Sequence, residues 1–216
     1  MARQERALRT RRKLIDAAAA VISKRGYRAA TIADIMEAGD VTRGALYFHF
    51  SSKRALADAI IQEQTLPYTV TAPGSPLQRL ISMSLEIGRG LQNDPLLRAG
   101  TRITVDTVFD DAPVTPFEEW NTVAVALLTE ARDAGELLPH IDPGTCGEFI
   151  VAAFTGVQLF SQAASGHADL SERITNLWRL LLPGIAHPAA ITYLNPTFPD
   201  SRPGAPADQP LEPSDA

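Results

Sequence analysis

The 216-residue chain predicts an all-α fold, and three observations carry that prediction. Apolar residues recur at three- and four-residue intervals in segment after segment, and strict two-residue alternation persists nowhere. Helix starts are punctuated by Thr, Ser or Asp, several followed directly by Pro: Asp94-Pro95, Thr115-Pro116 and Asp142-Pro143. Glycine or proline stops follow the apolar runs. About nine or ten helices are expected on this pattern.

Residues 1–12 read as a basic arm, followed by a helix over Arg9–Lys24 with Leu14, Ile15, Ala18, Val21 and Ile22 on one face and Gly26 as its stop. Thr31 with Asp34 forms a capping-box start for a short helix through Ile32, Ile35 and Met36. Gly39-Asp40 breaks that helix, and Thr42 can cap a second one over Arg43–His49. Ser51 or Ser52 caps a fourth helix over Lys53–Leu66. Pro67–Pro76 holds three prolines and a glycine and reads as a hinge. Helices then follow over Leu77–Leu91 and from Pro95 toward Val105, with Asp106–Thr115 as a loop.

The next helix carries Phe117, Trp120, Ala124, Leu127, Leu128 and Ala131 and stops at Gly135. Another runs from Pro143 through Phe149, Ala152, Ala153, Gly156 and Phe160 to Gly166. Ser171 caps a last long helix with Ile174, Leu177, Trp178 and Leu181, stopped by Pro183-Gly184, and a short helix covers Ala189–Leu194. Residues 196–216 hold 6 of the 16 prolines and no core-forming pattern, which predicts a disordered tail.

Composition narrows the function. The longest apolar run, Val123–Leu128, cannot cross a bilayer. No apolar stretch follows the basic start, so no secretory signal is expected. A single cysteine, Cys146, precludes an internal disulfide and fits a reducing cytoplasm. Residues 1–54 carry 12 Lys/Arg against 5 acids, a net +7, while the whole chain is −5, so residues 55–216 carry −12. A basic head on an acidic body is the footprint of a nucleic-acid reader. Charge runs are often plain solvated faces, but this asymmetry coincides with the two short helices.

The short second helix concentrates a cation, hydroxyls and aromatics around a glycine. A helix in a DNA major groove needs that set: cation and hydroxyls for phosphates and base edges, small residues for close approach, aromatics against sugars and thymine methyls. The alternative is an ordinary helical hairpin at a domain edge. The DNA-contacting candidates are Thr42, Arg43, Gly44, Tyr47, Phe48, His49 and Lys53, the last holding a phosphate at a helix N-terminus.

No catalytic or metal chemistry is legible. His49, His140, His167 and His187 have no partners at metal-ligand spacing, the aspartates of Asp106–Thr115 lack further ligands, and no phosphate loop or nucleophile motif occurs. No cofactor is expected. Cys146 near a helix start allows a lowered thiol pKa, against the plainer reading of a small buried thiol.

TRGALYFHFSSKRALADAI, preceded by GYRAATIADI, resembles the DNA-binding signature of TetR-type repressors. The first 35 residues, the ALYFHF core and the tryptophan of PFEEW resemble a narrower branch, the γ-butyrolactone autoregulator receptors of actinomycetes. The likeness is dense over residues 1–65 and continues more loosely to about residue 187. One departure stands in the turn, where Asp40 takes the slot usually held by glycine and Gly39 lies one place earlier, which would alter the turn's geometry.

The resemblance implies a helix-turn-helix domain over 1–54, a ligand-binding and dimerisation domain over 55–195, and the tail over 196–216. It implies a homodimer built on a four-helix bundle from the helices around Cys146–Ala164 and Ser171–Leu182, reading a palindromic operator. It also implies a repressor, not an enzyme, released by a small inducer of γ-butyrolactone, butenolide or furan type and controlling secondary-metabolite genes. Trp120 matches the branch's lactone-associated tryptophan, and Thr155 and Gln158 fall in the pocket-lining helix. Gln64 is placed at the pocket's mouth toward the head. A pseudo-receptor of the same fold, a small-molecule enzyme with a DNA-binding head, and a purely architectural DNA-binding protein are the competing readings.

Overall fold

The computed structural model describes residues 2–65, 73–107 and 116–197. Among these the chain forms α1 (Ala2–Arg25), α2 (Ile32–Ala38), α3 (Arg43–His49), α4 (Lys53–Thr65), α5 (Pro76–Asn93), α6 (Pro95–Thr107), α7 (Pro116–Asp133), α8 (Pro143–Ser165), α9 (Leu170–Ile185) and α10 (Pro188–Ile191). The all-α expectation holds; an isolated bridge between Leu137 and Ala186 is the β feature seen among the described residues.

The side chains bury into two clusters. The N-terminal cluster gathers Leu14, Ile15, Ala18 and Ile22 of α1, Ile35 of α2, Leu46 of α3, and Leu56, Ala57 and Ile60 of α4. The C-terminal cluster gathers α5, α7, α8 and α9 around Trp178, whose indole Nε1 donates to Ser84 Oγ at 2.6 Å. Helix α6 belongs to both: Leu97 enters the C-terminal cluster, while Ala99 and Ile103 enter the N-terminal one. The expected boundary at 54/55 falls inside α4, whose buried residues join the N-terminal cluster.

The caps follow the sequence signals. Thr31 and Asp34 complete a capping box, and Asp142 caps α8 by accepting from Thr145 N; Ser75, which falls inside the expected hinge, caps α5 by accepting from Gln78 N. Of the two serines offered for α4, Ser52 accepts from Ala55 N at 3.0 Å. Bonds from the Thr31 side chain and then its backbone hold the Asp34 carboxyl below its ordinary value of 3.8. Thr145 does the same for Asp142, backbone first. Both folded pKa values lie below the unfolded ones, so these caps stabilise the fold above the unfolded carboxylate pKa and lose that effect as pH falls through the folded pKa.

Five sequence expectations are corrected. Helix α1 begins at Ala2, so the described part of the basic arm is helical rather than loose. Asp106 is not in a loop: α6 runs through it, and its Oδ2 accepts from Tyr27 N at 2.8 Å, a tertiary bond that stabilises the last turn. Ser171 does not cap α9. Asp169 precedes that helix without a side-chain cap bond, and the Ser171 hydroxyl donates instead to Gln92 Oε1. Nor does Pro183 stop α9, which continues to Ile185 because Leu182 and Ile185 are buried in the core on either side of it. The short last helix is confined to Pro188–Ile191. The Thr115 cap, most of the expected hinge and the tail from residue 198 lie outside the described residues.

Glycine sets one close contact here. A Cβ on Gly88 of α5 would overlap Ile174 Cδ1 of α9. Gly88→Ala should therefore destabilise by about 1–3 kcal/mol through overpacking, read as a lowered midpoint in chemical denaturation. An unchanged midpoint would mean that Ile174 swings away freely.

Candidate nucleic-acid interface and effector site

The path into α3 begins at the end of α2. Asp40 N donates to Glu37 O and Val41 N to Met36 O, both at 3.1 Å, which is the paired bonding of a Schellman stop. Asp40 occupies its left-handed position at φ +43°. Gly39 is right-handed and serves another purpose: a Cβ there would lie 3.0 Å from the Ala17 Cβ of α1. Asp40 therefore carries the turn conformation, and the adjacent glycine lets α2 close on α1. Lys13 Nζ of α1 donates to Asp40 O at 3.3 Å and ties the turn down.

Thr42 Oγ1 accepts from Ala45 N, capping α3 and leaving its hydroxyl proton for an outside acceptor. Leu46 and Phe50 anchor α3 in the N-terminal cluster. The opposite face carries Arg43, Gly44, Tyr47 and Phe48, all exposed, with Phe48 at 78%. The Arg43 guanidinium lies 5.6 Å from the Tyr47 ring centroid, and Phe48 and His49 meet edge to face at 5.0 Å. A Cβ on Gly44 would meet nothing within 4 Å, so no contact within the chain requires a glycine there. Close approach by an outside surface would.

Lys53 sits differently from the others. Its Nζ lies 4.5 Å over the Tyr27 ring and 3.4 Å from Arg28 O, and burial pushes its pKa down. It is held against the α1–α2 turn rather than extended into solvent.

Head and body are joined at α6. Beyond the bond to Tyr27 N, Asp106 offers its main-chain oxygen to Arg28 Nε and Nη2 at 3.2 and 3.1 Å. Gly26, at φ +83°, lets α1 end against Arg102 and Asp106.

Within the body the four expected ligand residues fare unequally, and no hydrogen bond joins any two of them. Gln64 is 2% exposed, and neither its Nε2 nor its Oε1 has a partner. Its amide lies over Gly100, where any Cβ would overlap it. Gln158 is equally buried: its Oε1 faces His167 Nε2 at 3.4 Å and its Nε2 is unpaired. Thr155 donates its hydroxyl to Val151 O and is satisfied by its own helix. Trp120 is half-buried against the C-terminal cluster.

Two residues missed in the sequence join the unpaired set: Thr101 Oγ1 on α6 and Asn121 Oδ1 on α7. Thr104 and Thr107 each donate to the carbonyl four residues back, whereas Thr101 does not. Polar side chains on otherwise apolar helical faces were the available signal.

His167 adopts φ +73°, and burial, with Arg98's charge second, lowers its pKa, so it is neutral at neutral pH. Gln92 links this turn to the start of α6, its Nε2 donating to His167 O while its main-chain oxygen accepts from Arg98 Nη1. Cys146 is buried, and burial followed by the Asp142 charge raises its thiol pKa, which corrects the idea of a helix-activated thiolate. Among the described residues no cluster of metal-ligating side chains occurs and no helix is long and apolar enough to cross a membrane.

Comparison with known proteins decides the family. The model of bacterial regulatory proteins of the TetR family matches residues 14–60, and that of the tetracycline repressor-like C-terminal domain matches residues 74–187. The chain belongs to the TetR family. It is 43% identical over 196 residues to the A-factor receptor protein of Streptomyces griseus, covering 91% of this chain and 71% of that one. A TetR regulator from Streptomyces fradiae, TylP, superposes with TM-score 0.73 at 38% identity, over 89% of this chain and 93% of that structure. CprB from Streptomyces coelicolor, solved in complex with its biological operator sequence, superposes with TM-score 0.75 at 28% identity, over 88% and 95%. The chain is thus a TetR-type DNA-binding repressor close to the γ-butyrolactone receptors.

The turn offers a direct check. Asp40→Val places a β-branched residue at φ +43° and should cost about 1–2 kcal/mol, whereas Asp40→Gly should melt no lower than the parent. Equal melting of the valine variant would show that the turn relaxes out of the left-handed region.

Proposed function

We propose that the chain is a homodimeric repressor released from a palindromic operator when its body takes up a small inducer of γ-butyrolactone, butenolide or furan type. The observation that carries this reading is the set of five buried polar atoms on Gln64, Thr101, Asn121 and Gln158 that lack partners. An unpaired buried polar group costs about 1–3 kcal/mol, and native structures leave few of them. Amide and hydroxyl groups set among apolar walls suit a mostly apolar molecule with a few oxygen functions. Trp120, half-buried on α7, adds a flat apolar wall by analogy with the receptor branch.

The DNA contacts in this reading are those of α3: Thr42, Arg43, Gly44, Tyr47, Phe48 and His49, with Lys53 behind them. Two exposed faces support dimerisation through α8 and α9: Phe149 and Phe160 on the first, and Leu180, 83% exposed, on the second. A monomer gains nothing by wetting these, and a two-fold pair of α3 helices matches a palindrome.

Release follows from shared helices. Gln64 lies near one end of α4 and Lys53 at the other, roughly 16 Å apart at ~1.5 Å per residue. Thr101 lies on α6, which through Asp106 also grips the α1–α2 turn. An occupant that reorients either helix end shifts α3 against a groove spacing fixed by the duplex. To empty the operator it must favour the released form by several kcal/mol.

The test is binding to the DNA upstream of the protein's own gene, with and without γ-butyrolactones, butenolides and furan acids. Release by one of these supports the reading. DNA binding indifferent to all of them, with an antibiotic end-product acting instead, would mark a pseudo-receptor. Trp120→Ala, Gln64→Ala and Thr101→Val should each keep operator affinity, and each polar variant should weaken inducer response about three- to tenfold. Wild-type response in all three would place the inducer elsewhere.

A further inference from the structure

We propose that the first turns of α1 form a second DNA-backbone contact outside the recognition helix, made by Arg6 and Arg9. The proposal rests on the DNA-binding reading above and extends its footprint. Helix α1 is 24 residues long, yet its buried residues begin only at Leu14. Before that point the helix packs on no core, and Leu8 is 62% exposed. A helical segment with no apolar face to bury gains little from folding alone, and a partner outside the chain accounts for it.

The cations of the head divide into two groups. Arg11 and Arg12 are paired with Glu63, Arg25 with Asp34, and Arg54 with Asp58, at 2.7–3.1 Å. Arg28 is engaged by the Asp106 main chain. Their charge is largely neutralised within the chain. Arg6 and Arg9 are exposed and, among the described residues, neither guanidinium has an ion-pair partner. With Lys13 they recur at i, i+3 and i+7 and so share one face. Glu5 and Thr10 lie beside them on the same stretch of helix.

Continuity identifies the occupant. Lys13 is bonded to the Asp40 main-chain oxygen and paired with its carboxylate at 3.8 Å, in the turn that leads directly into α3, so it ties the stripe to that turn rather than adding a free cation. The stripe therefore starts beside the end of α3 that would enter the groove, and runs outward from Lys13 to Arg6 for roughly 10 Å at ~1.5 Å per residue. A duplex engaged by α3 carries its phosphates past this point, spaced ~3.4 Å along each strand. Two unpaired guanidiniums over that length match a run of phosphates, which fix register without reading sequence. Glu5 is the acid beside these arginines, so it opposes the same contact.

The experiment measures binding of the full-length chain to a mixed-sequence 30-base-pair duplex across a salt series, and to a sequence selected by the wild-type chain. The double variant R6A/R9A should reduce the slope of log affinity against log salt by about 0.9 per lost contact in each chain, with the preference for selected over mixed sequence unchanged. R6K/R9K should restore the slope, and Glu5→Gln should bind more tightly than wild type. Arg12→Ala, whose cation is already paired, should leave the slope unchanged. Circular dichroism confirms that the variants keep the wild-type helix content. A wild-type slope in R6A/R9A, with wild-type DNA binding intact, would overturn the contact and leave the repressor reading standing. A wild-type chain that binds no duplex would overturn both.

Discussion

The structure depends on one helix being buried from two sides. Helix α6 puts Leu97 into the core of the body and Ala99 and Ile103 into the core of the head. An amphipathic surface helix needs one apolar stripe, whereas a helix shared by two cores needs two, and α6 has little polar surface left over. Gly100 sits between those stripes against the unpaired Gln64 amide, and Thr101, whose hydroxyl is also unpaired, follows it. Two of the buried side chains left with unpaired polar atoms, Gln64 and Thr101, therefore lie against or on the helix that joins the head to the body.

Electrostatics reinforce the division of labour. The head's formal charge of +7 overstates what is available outside, because five of its arginines are tied to acids or to main-chain oxygen. Those bonds stitch α1 to α4, α1 to α2 and the α1–α2 turn to α6. Among the described residues the cations without an ion-pair partner include Arg43 on α3, Arg6 and Arg9 on the first turns of α1, and Lys24 at that helix's far end. Exposed ion pairs contribute little stability each; their larger effect here is to decide which cations face outward.

Most of the fold was legible because caps and prolines are local signals. Asp94-Pro95 and Asp142-Pro143 start helices where the sequence places them, and Gly26 and Gly166 end them with left-handed residues. The misreadings were tertiary. The early start of α1 has no apolar period to announce it, Asp106 is helical because Tyr27 N lies across from it, and Pro183 stays inside α9 because the core holds the residues around it. The site divides the same way. Arg43, Gly44, Tyr47 and Phe48 were visible as an odd cluster on a short helix, and Gln64 and Gln158 as amides on apolar faces. Thr101 and Asn121 were not, because whether a helical hydroxyl or amide is already satisfied depends on neighbours that sequence spacing does not specify.

The grip of Asp106 on Tyr27 and Arg28 bears on how such regulators can be recombined. A proline-rich segment such as Pro67–Pro76 is the obvious seam for grafting one protein's DNA reader onto another's sensor. Here the seam of the folded molecule lies elsewhere, along the face of α6 that carries Ala99, Ile103 and Asp106. A chimera cut at the prolines would pair the α1 surface with a foreign α6 and leave Tyr27 N without its acceptor. Evolution faces the same constraint, so readers and sensors in this architecture should be exchanged with that face of α6 travelling alongside the reader.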